Sequence, residues 1–418
     1  MVPPSAAPDR RSAGLRDDTT AWGAVLALMA AGVVAAAQIG KATAALPVLQ
    51  DEFGFSSTGA AWYLSVVSAL GAVAGAVLGW LGQALGFRRQ VLLGLLAIAL
   101  TNAGGAAATS AGWLLAARVG EGLGLVLVVL AAPGLLPEVA SAARRRLVVG
   151  AWGVYMPLGA GLATLLVPSA ITQVGWRGAW LVDAGVTAVV VLAVIRWVPP
   201  TPARRPQGMG GLLQAVRSPG VLCLTVLFGF YAGQYLAVVG LLPTVLVDGG
   251  LPLTTAGLVT GVVFLANVPA NLLGAFLLHR GVSRWWLIVA GSGWTVLTVW
   301  AVHDPGLPPA VRIGSVVAFS LVVGIIPSAA FSGVTAMSAG TASVGAAVGL
   351  LVQGSSVGQL LGPPVVVAVG SAVGSWTGRP AALSCAAGLV LVGGLLYRRL
   401  EEPLAPPGGD LSRGPERA

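Results

Sequence analysis

Five ionisable residues stand inside long apolar stretches of this sequence: Lys41, Arg118, Glu121, Asp183 and Arg312. The stretches run to about 20 residues or more, enough to cross ~30 Å of hydrocarbon. A charge at the centre of a bilayer costs about 2.5–3.5 kcal/mol on insertion scales, so each of the five needs a physical reason to be there. Three chemistries suit these residue types. The cations can hold an anion, a carboxylate can carry a proton, and opposite charges can tie helices together.

Lys41 is the only lysine in the chain. It lies roughly six residues before the end of its apolar block, or about 9 Å deep at 1.5 Å per residue. Arg118 and Glu121 are spaced i, i+3 and share a helix face. They fall roughly 5 and 8 residues into their block, at depths of about 8 and 12 Å, so all three can share one level. Arg312 is expected to enter at a similar depth. Three cations then face one carboxylate, and the excess of about +2 would be offset by a bound anion. Glu121 is the deep acid of the first half and the expected proton carrier.

Plainer readings stand beside these. Lys41 can snorkel to an interface or act as Glu121's structural partner. Arg118 and Glu121 can be a structural pair, and Arg312 can cap the start of its helix. Asp183, close to Arg177, can be structural or a second proton carrier. Uncharged polar residues complete the candidate site: Gln38, Gln234, Tyr155, Tyr231, Tyr235 and Gln353. Asn267 and Asn271 share one helix face and are expected to make interhelical hydrogen bonds.

The elements that must hold these residues are membrane helices. The chain is 56% hydrophobic and only 9% charged, against about 25% charged in soluble domains. In lipid the backbone must satisfy itself, so the apolar blocks are helices; barrel strands would alternate polar and apolar residues. Twelve helices are predicted, at about 22–46, 60–82, 91–110, 113–136, 148–172 and 178–198, then 219–246, 255–278, 285–303, 310–334, 344–373 and 380–397. The expected organisation is a tail at 1–21, a six-helix bundle at 22–198, a linker at 199–218, a second bundle at 219–397 and a tail at 398–418.

The net charge of +9 comes mostly from arginines in alternate loops, and it implies no nucleic-acid partner. Arg88, Arg89, Arg144 to Arg146, Arg204, Arg205, Arg280, Arg284, Arg398 and Arg399 mark one side, whereas Asp51, Glu52, Asp248 and Asp304 mark the other. The positive-inside rule then puts both termini and the linker in the cytoplasm, with the protein in the inner membrane of a bacterium. Cys223 and Cys385 have no metal spacing and read as small apolar residues. No nucleophile–base pair or metal constellation is present, so neither an enzyme nor a cofactor is expected.

The halves repeat at an offset near 194–200 residues. Pro47 matches Pro243, and each has a glutamine nine residues before it, Gln38 and Gln234. Gly79-x6-Gly86 matches Gly274-x6-Gly281. Arg118 matches Arg312, and each is followed fifteen residues later by a proline, Pro133 and Pro327. Gly175-Trp176 has a looser counterpart in Gly374-Ser375-Trp376. Parallel repeats of this kind place a solute site near the midplane, between the halves.

At residues 20 to 400 the chain resembles the major facilitator superfamily. "GWLGQALGFRRQ" is similar to its G-x-L-x-D-R-x-G-R-R signature, through Gly79, Leu81, Gly86, Arg88 and Arg89, with Gln83 in the place of the acid. "RVGEG", Arg118 to Gly122, resembles its R-x-x-Q-G signature, with Glu121 in the Gln place. The "ALPVLQDEFGFS" and "GWRGAW" segments are similar to many members, and the general character resembles the cyanate- and nitroimidazole-transporter-like branch. The resemblance implies two pseudo-symmetric six-helix bundles, rocker-switch alternating access, and a gating role for Gly79, Gln83, Gly86, Arg88 and Arg89.

The expected function is a monomeric, proton-coupled secondary transporter of a small anionic solute. Inward movement is favoured, because a cotransported proton offsets an inside-negative potential worth about 2.3 kcal/mol per charge per 100 mV. The alternatives are a proton-driven multidrug efflux antiporter and a non-transporting membrane sensor.

Overall fold

The structure, a computed structural model, describes residues 20–201, 210–338 and 344–401. Most of the two expected tails and residues 202–209 of the expected linker lie outside the described residues. Every regular element among the described residues is a helix.

The first half begins with α1, Trp22–Phe53. Next comes α2 over 57–85, in which Ser57–Ser65 and Ala69–Leu85 join through a 3-10 turn at Val66–Ser68. Then follow α3, Phe87–Ala106, and α4, Ala111–Val139. A long run ending at Trp197 is broken at Gly175, whose φ of 71° is not helical. It therefore carries two elements, α5 over 145–174 and α6 over 176–197. A short helix, Gly210–Arg217, occupies part of the expected linker.

In the second half, α7 is Pro219–Gly240 continued by Leu242–Asp248, α8 is Leu253–His279 and α9 is Arg284–His303. Then α10 is Pro309–Val323 continued by Ile325–Met337, α11 is Val344–Val373 and α12 is Ser375–Tyr397.

Ten helical segments among the described residues are long and apolar enough to cross a membrane. One of them, Trp152–Trp197, holds two crossings separated by Gly175. The 20-residue α3, whose first turn holds Arg88 and Arg89, is the remaining one, and its length of about 30 Å suffices. Twelve crossings result, as the sequence implies. Large apolar side chains such as Leu100, Leu166, Leu192 and Leu297 point outward and are well exposed, which only a lipid surround makes favourable.

The repeat is written in the backbone. Among the described residues six glycines have positive φ, and they fall into three pairs: Gly54 with Gly250, Gly86 with Gly281, and Gly175 with Gly374. Each pair turns the corner after the equivalent helix of its half, and only glycine takes this conformation without strain. The first pair was not among the sequence matches.

Helix ends differ from expectation where polar residues sit inside a helix. The first helix runs through Pro47 and ends at Phe53 rather than near 46. The third begins at Phe87 rather than 91, so Arg88 and Arg89 lie in its first turn and not in a loop. The two halves meet along two seams, α2 with α11 and α5 with α8. At the end of α1 that carries Gln50, Thr244 of α7 also donates to Gln50 Oε1 at 3.3 Å.

Candidate functional site

Four helices of the first half, α1, α3, α4 and α6, enclose a cluster of charge. Lys41 precedes the end of α1 by 12 residues, about 18 Å along the helix, twice the depth expected from an end near residue 46. Its side chain is 1% exposed, so it does not snorkel. In α4, the Ser110 hydroxyl caps the first turn by accepting from Trp113 N at 3.3 Å, which sets Arg118 seven residues into the helix and Glu121 ten. Gly122 lets α4 approach α2 closely, because a Cβ there would lie 1.9 Å from the Val67 carbonyl oxygen.

Lys41 Nζ lies 2.9 Å from Glu121 Oε1, 3.2 Å from Asp183 Oδ2 and 2.7 Å from Gln38 Oε1, and it also donates to Asn102 Oδ1. The Trp180 ring covers it, with the centroid 4.6 Å from Nζ, a favourable cation–π placement. On the far side of Glu121, Arg118 Nη1 donates to Oε2 and also to the Gln38 carbonyl at 2.9 Å. Gln38 ties the cluster together. Its Nε2 donates to Asp183 Oδ2 at 2.9 Å, and its Oε1 accepts from Asn102 Nδ2 at 3.0 Å.

These contacts alter the expected charge count. Asp183 turns to Lys41, while Arg177, its expected neighbour, pairs with Glu52 at 2.6 Å. Two cations, Lys41 and Arg118, face two carboxylates, Glu121 and Asp183, and the cluster is neutral when all four are charged. The expected excess of +2 is not there.

Arg312 is the other reason. It lies three residues into α10, which starts at Pro309, whereas its repeat mate Arg118 lies seven residues into α4. It is partly exposed, and its Nε donates to the Val302 carbonyl near the end of α9 at 3.1 Å. The structure does not bring it to Lys41. The matched sequences "GWLLAAR" and "GLPPAVR" differ in the prolines that start α10 late, and that shortens the depth of the second arginine.

The remaining candidates are spread through the molecule. Gln353 lies in the α2–α11 seam, donating to the Ala72 carbonyl at 2.9 Å and accepting from Ala76 N at 3.2 Å. Tyr155 stacks on Trp152, with ring centroids 4.4 Å apart. Tyr231 and Tyr235 belong to an aromatic run on α7 that begins at Phe228 and reaches Phe264 of α8 and Phe319 of α10. Tyr235 also hydrogen-bonds Ser320 at 3.2 Å. Gln234 is 2% exposed, and neither of its side-chain amide atoms has a hydrogen-bond partner among the described residues. Asn267 donates to the Ser320 carbonyl at 3.2 Å, and Asn271 donates to Asn267 Oδ1 at 2.7 Å.

Among the expected gating residues, Gly86 makes the α2–α3 corner at φ 81°. Arg88 donates to the Ile195 carbonyl of α6 at 2.8 Å, within its own half, and Arg89 is exposed. Gly79 and Gln83 lie within α2, and the Gln83 side chain lies outside what the structure describes. Sequence reasoning missed Asn102 and Trp180. The signal for Asn102 was present, since it is an amide in the middle of an apolar block; Trp180 had none beyond its place in "GWRGAW".

The arrangement can hold two helices' carboxylates on one buried ammonium, and it can change its net charge by one when it takes a proton. The sequence profile of the Major Facilitator Superfamily matches residues 26–280. The chain belongs to this superfamily, whose members here are transporters and not enzymes. It is 32% identical over 181 residues to the arabinose-proton symporter of Escherichia coli (strain K12), covering 42% of this chain and 37% of that protein. The chain thus spans little more than a third of that relative's length. To monocarboxylate transporter 11 of Homo sapiens it is 29% identical over 428 residues, covering 96% of this chain and 87% of the relative. Its fold is that of a bacterial homolog of the human lysosomal transporter Spinster, solved in an inward-facing, unoccupied conformation, with a TM-score of 0.75, 15% identity and coverage of 92% and 97%. This superfamily member therefore carries its balanced charge cluster inside one half of the fold.

Proposed function

We propose that the protein is a secondary active transporter that moves a small anionic solute together with a proton, by alternating access between its two halves. One observation carries the reading: Lys41, buried and the only lysine of the chain, holds carboxylates from two different helices, Glu121 and Asp183. Four charges sum to zero. Protonation of either carboxylate leaves one positive charge unmatched in a low-dielectric interior, which is costly. An arriving anion offsets it, so proton and anion favour each other's binding, the requirement for symport.

The names of two relatives, a proton symporter and a monocarboxylate transporter, support the coupling ion and the solute class respectively. The arginine-rich loops support cytoplasmic termini in a bacterial inner membrane, and the protein is read as a monomer. A second reading, proton-driven efflux of a lipophilic solute, is favoured by the aromatic run from Phe228 to Phe319.

The test uses the purified protein in liposomes with an imposed pH step and protein-free liposomes as control. A panel of radiolabelled lactate, pyruvate, arabinose and a lipophilic cation separates the readings. Accumulation of a carboxylate on the alkaline side, abolished by a protonophore, is the expected result. Accumulation of arabinose alone would replace the anion by a neutral solute. Movement of the lipophilic cation against the proton would establish the efflux reading instead.

A further inference from the structure

We infer that Asp183 is the residue that takes up and releases the coupling proton, while Glu121 stays charged as the fixed counter-ion of Lys41 and Arg118. The inference rests on the proton-coupled reading above and assigns its proton to one atom group.

The two carboxylates of the cluster are held very differently. Glu121 is 0% exposed, and each of its oxygens faces a cation, Lys41 at Oε1 and Arg118 at Oε2. Neutralising it would leave two buried cations with a single carboxylate between them. Asp183 is 16% exposed. Both of its side-chain hydrogen bonds, from Lys41 Nζ and Gln38 Nε2, go to Oδ2, and Oδ1 accepts none among the described residues. A proton can therefore add to Oδ1 without first displacing a donor.

Lys41 is also the partner that can let go. An ammonium has three N–H donors, yet four acceptors surround Nζ: Gln38, Asn102, Glu121 and Asp183. The contact to Asp183 is the longest of them, at 3.2 Å. If it weakens, Lys41 keeps three acceptors and the face of Trp180. The groups around Asp183 are few. Lys41 faces it from α1, Glu121 lies across Lys41 on α4 with Arg118 behind it, α3 contributes the neutral Asn102, and Arg177 of α6 itself is turned to Glu52. The protonated cluster carries one net positive charge centred on Lys41, and loss of the proton from Asp183 restores neutrality.

The experiment is infrared difference spectroscopy of the full chain in lipid, titrated over pH in heavy water, which reports the C=O band of a protonated carboxyl group. Proton-driven accumulation is measured in parallel. Beside the bands of the exposed carboxyl groups, the wild type is expected to show one titrating band of a buried carboxyl, set apart by its higher frequency. Asp183→Asn should lose it and Asp183→Glu should keep it at a shifted frequency. Glu121→Gln should still show a titrating band that Asp183→Asn lacks, at a pH moved by the loss of the neighbouring charge. A one-unit pH step sustains about tenfold accumulation by a one-to-one symporter, and Asp183→Asn should abolish that gain while retaining exchange at equal pH. A band that survives in Asp183→Asn overturns the inference, while transport that remains proton-driven leaves the symport reading intact. A wild type with no such buried-carboxyl band and no response to the pH step overturns both.

Discussion

The two halves of this protein share a backbone plan and differ in what they bury. Gln38 on α1 and Gln234 on α7 occupy matched positions nine residues before a proline. Gln38 bonds to Lys41, Asn102 and Asp183, in a core that holds four charges. Gln234 has no side-chain hydrogen-bond partner among the described residues and neighbours an aromatic run. The paired corner glycines show that duplication preserved the chain path, whereas the four-charge cluster sits in the first half, and the second half buries one pair, Arg284 with Glu401. Ion handling and solute contact can thus be divided between halves of one architecture, and the comparison can be attacked residue by residue.

The largest expected effect is at Glu121. Glu121→Ala leaves Lys41 and Arg118 facing only Asp183 in a buried site, and breaking a buried pair from one side costs about 3–5 kcal/mol. We predict a steep fall in apparent Tm for the detergent-purified full chain, with Lys41→Ala next in severity because two carboxylates then lose their shared cation. Near-normal stability of Glu121→Ala would show that the cluster is wetter than its 0% exposure indicates, and the contrast between the halves would collapse.

Gln38→Leu and Gln234→Leu sharpen the contrast directly. The first removes an amide that accepts from Lys41 and Asn102 and donates to Asp183, leaving buried partners unsatisfied at a cost of about 1–3 kcal/mol. The second removes a buried amide whose polar atoms are unpartnered among the described residues, so it should leave thermal stability unchanged or raise it. Equal losses of Tm in the two variants would mean that the halves use their glutamines alike.

Gly175→Ala and Gly374→Ala test the likeness instead of the difference. Both residues have positive φ and extended ψ at equivalent corners, a backbone region in which a side chain costs about 1–3 kcal/mol. Similar decreases in Tm are expected, because the open space recorded at both positions leaves backbone strain as the common cost. A silent change at one corner alone would show that the corner relaxes in that half.

Much of this was legible in the sequence because it depends on local rules. Blocks of apolar residues fix the number of crossings, and glycine and proline fix the corners, including Gly86 and Gly175. The pairing of Arg118 with Glu121 follows from i, i+3 spacing. Partners across helices were less legible. Asp183 was read beside Arg177, six residues away in sequence, but side-chain direction in the folded bundle turned it to Lys41 and sent Arg177 to Glu52. Asn102 carried a signal in its type alone, since nothing in a single sequence says which face of α3 meets α1. The depth of Lys41 is twice that read from the apolar block, because the block ends near residue 46 whereas α1 continues past Pro47 to Phe53.

The smallest expected effect is at Arg312, and it bears on the comparison most directly. By sequence it is the repeat mate of Arg118, and a symmetric protein would use both. By structure Arg118 is fully buried against Glu121, whereas Arg312 is partly exposed in the first turn of α10 with Nε on the Val302 carbonyl. A guanidinium that near the end of a helix can keep much of its hydration, unlike the fully buried Arg118. Arg312→Gln should cause only a small loss of Tm, because the side chain is partly exposed, and should leave the pH dependence of transport where it was. Arg118→Gln should lower Tm far more, because Glu121 then loses one of its two cations. The measurement is a paired one: Tm and the proton-driven accumulation ratio for both variants in the same lipid. If Arg312→Gln lowers accumulation as much as Arg118→Gln does, then α10 carries charge into the transport site in some conformation other than this one, and the division of labour between the halves is wrong.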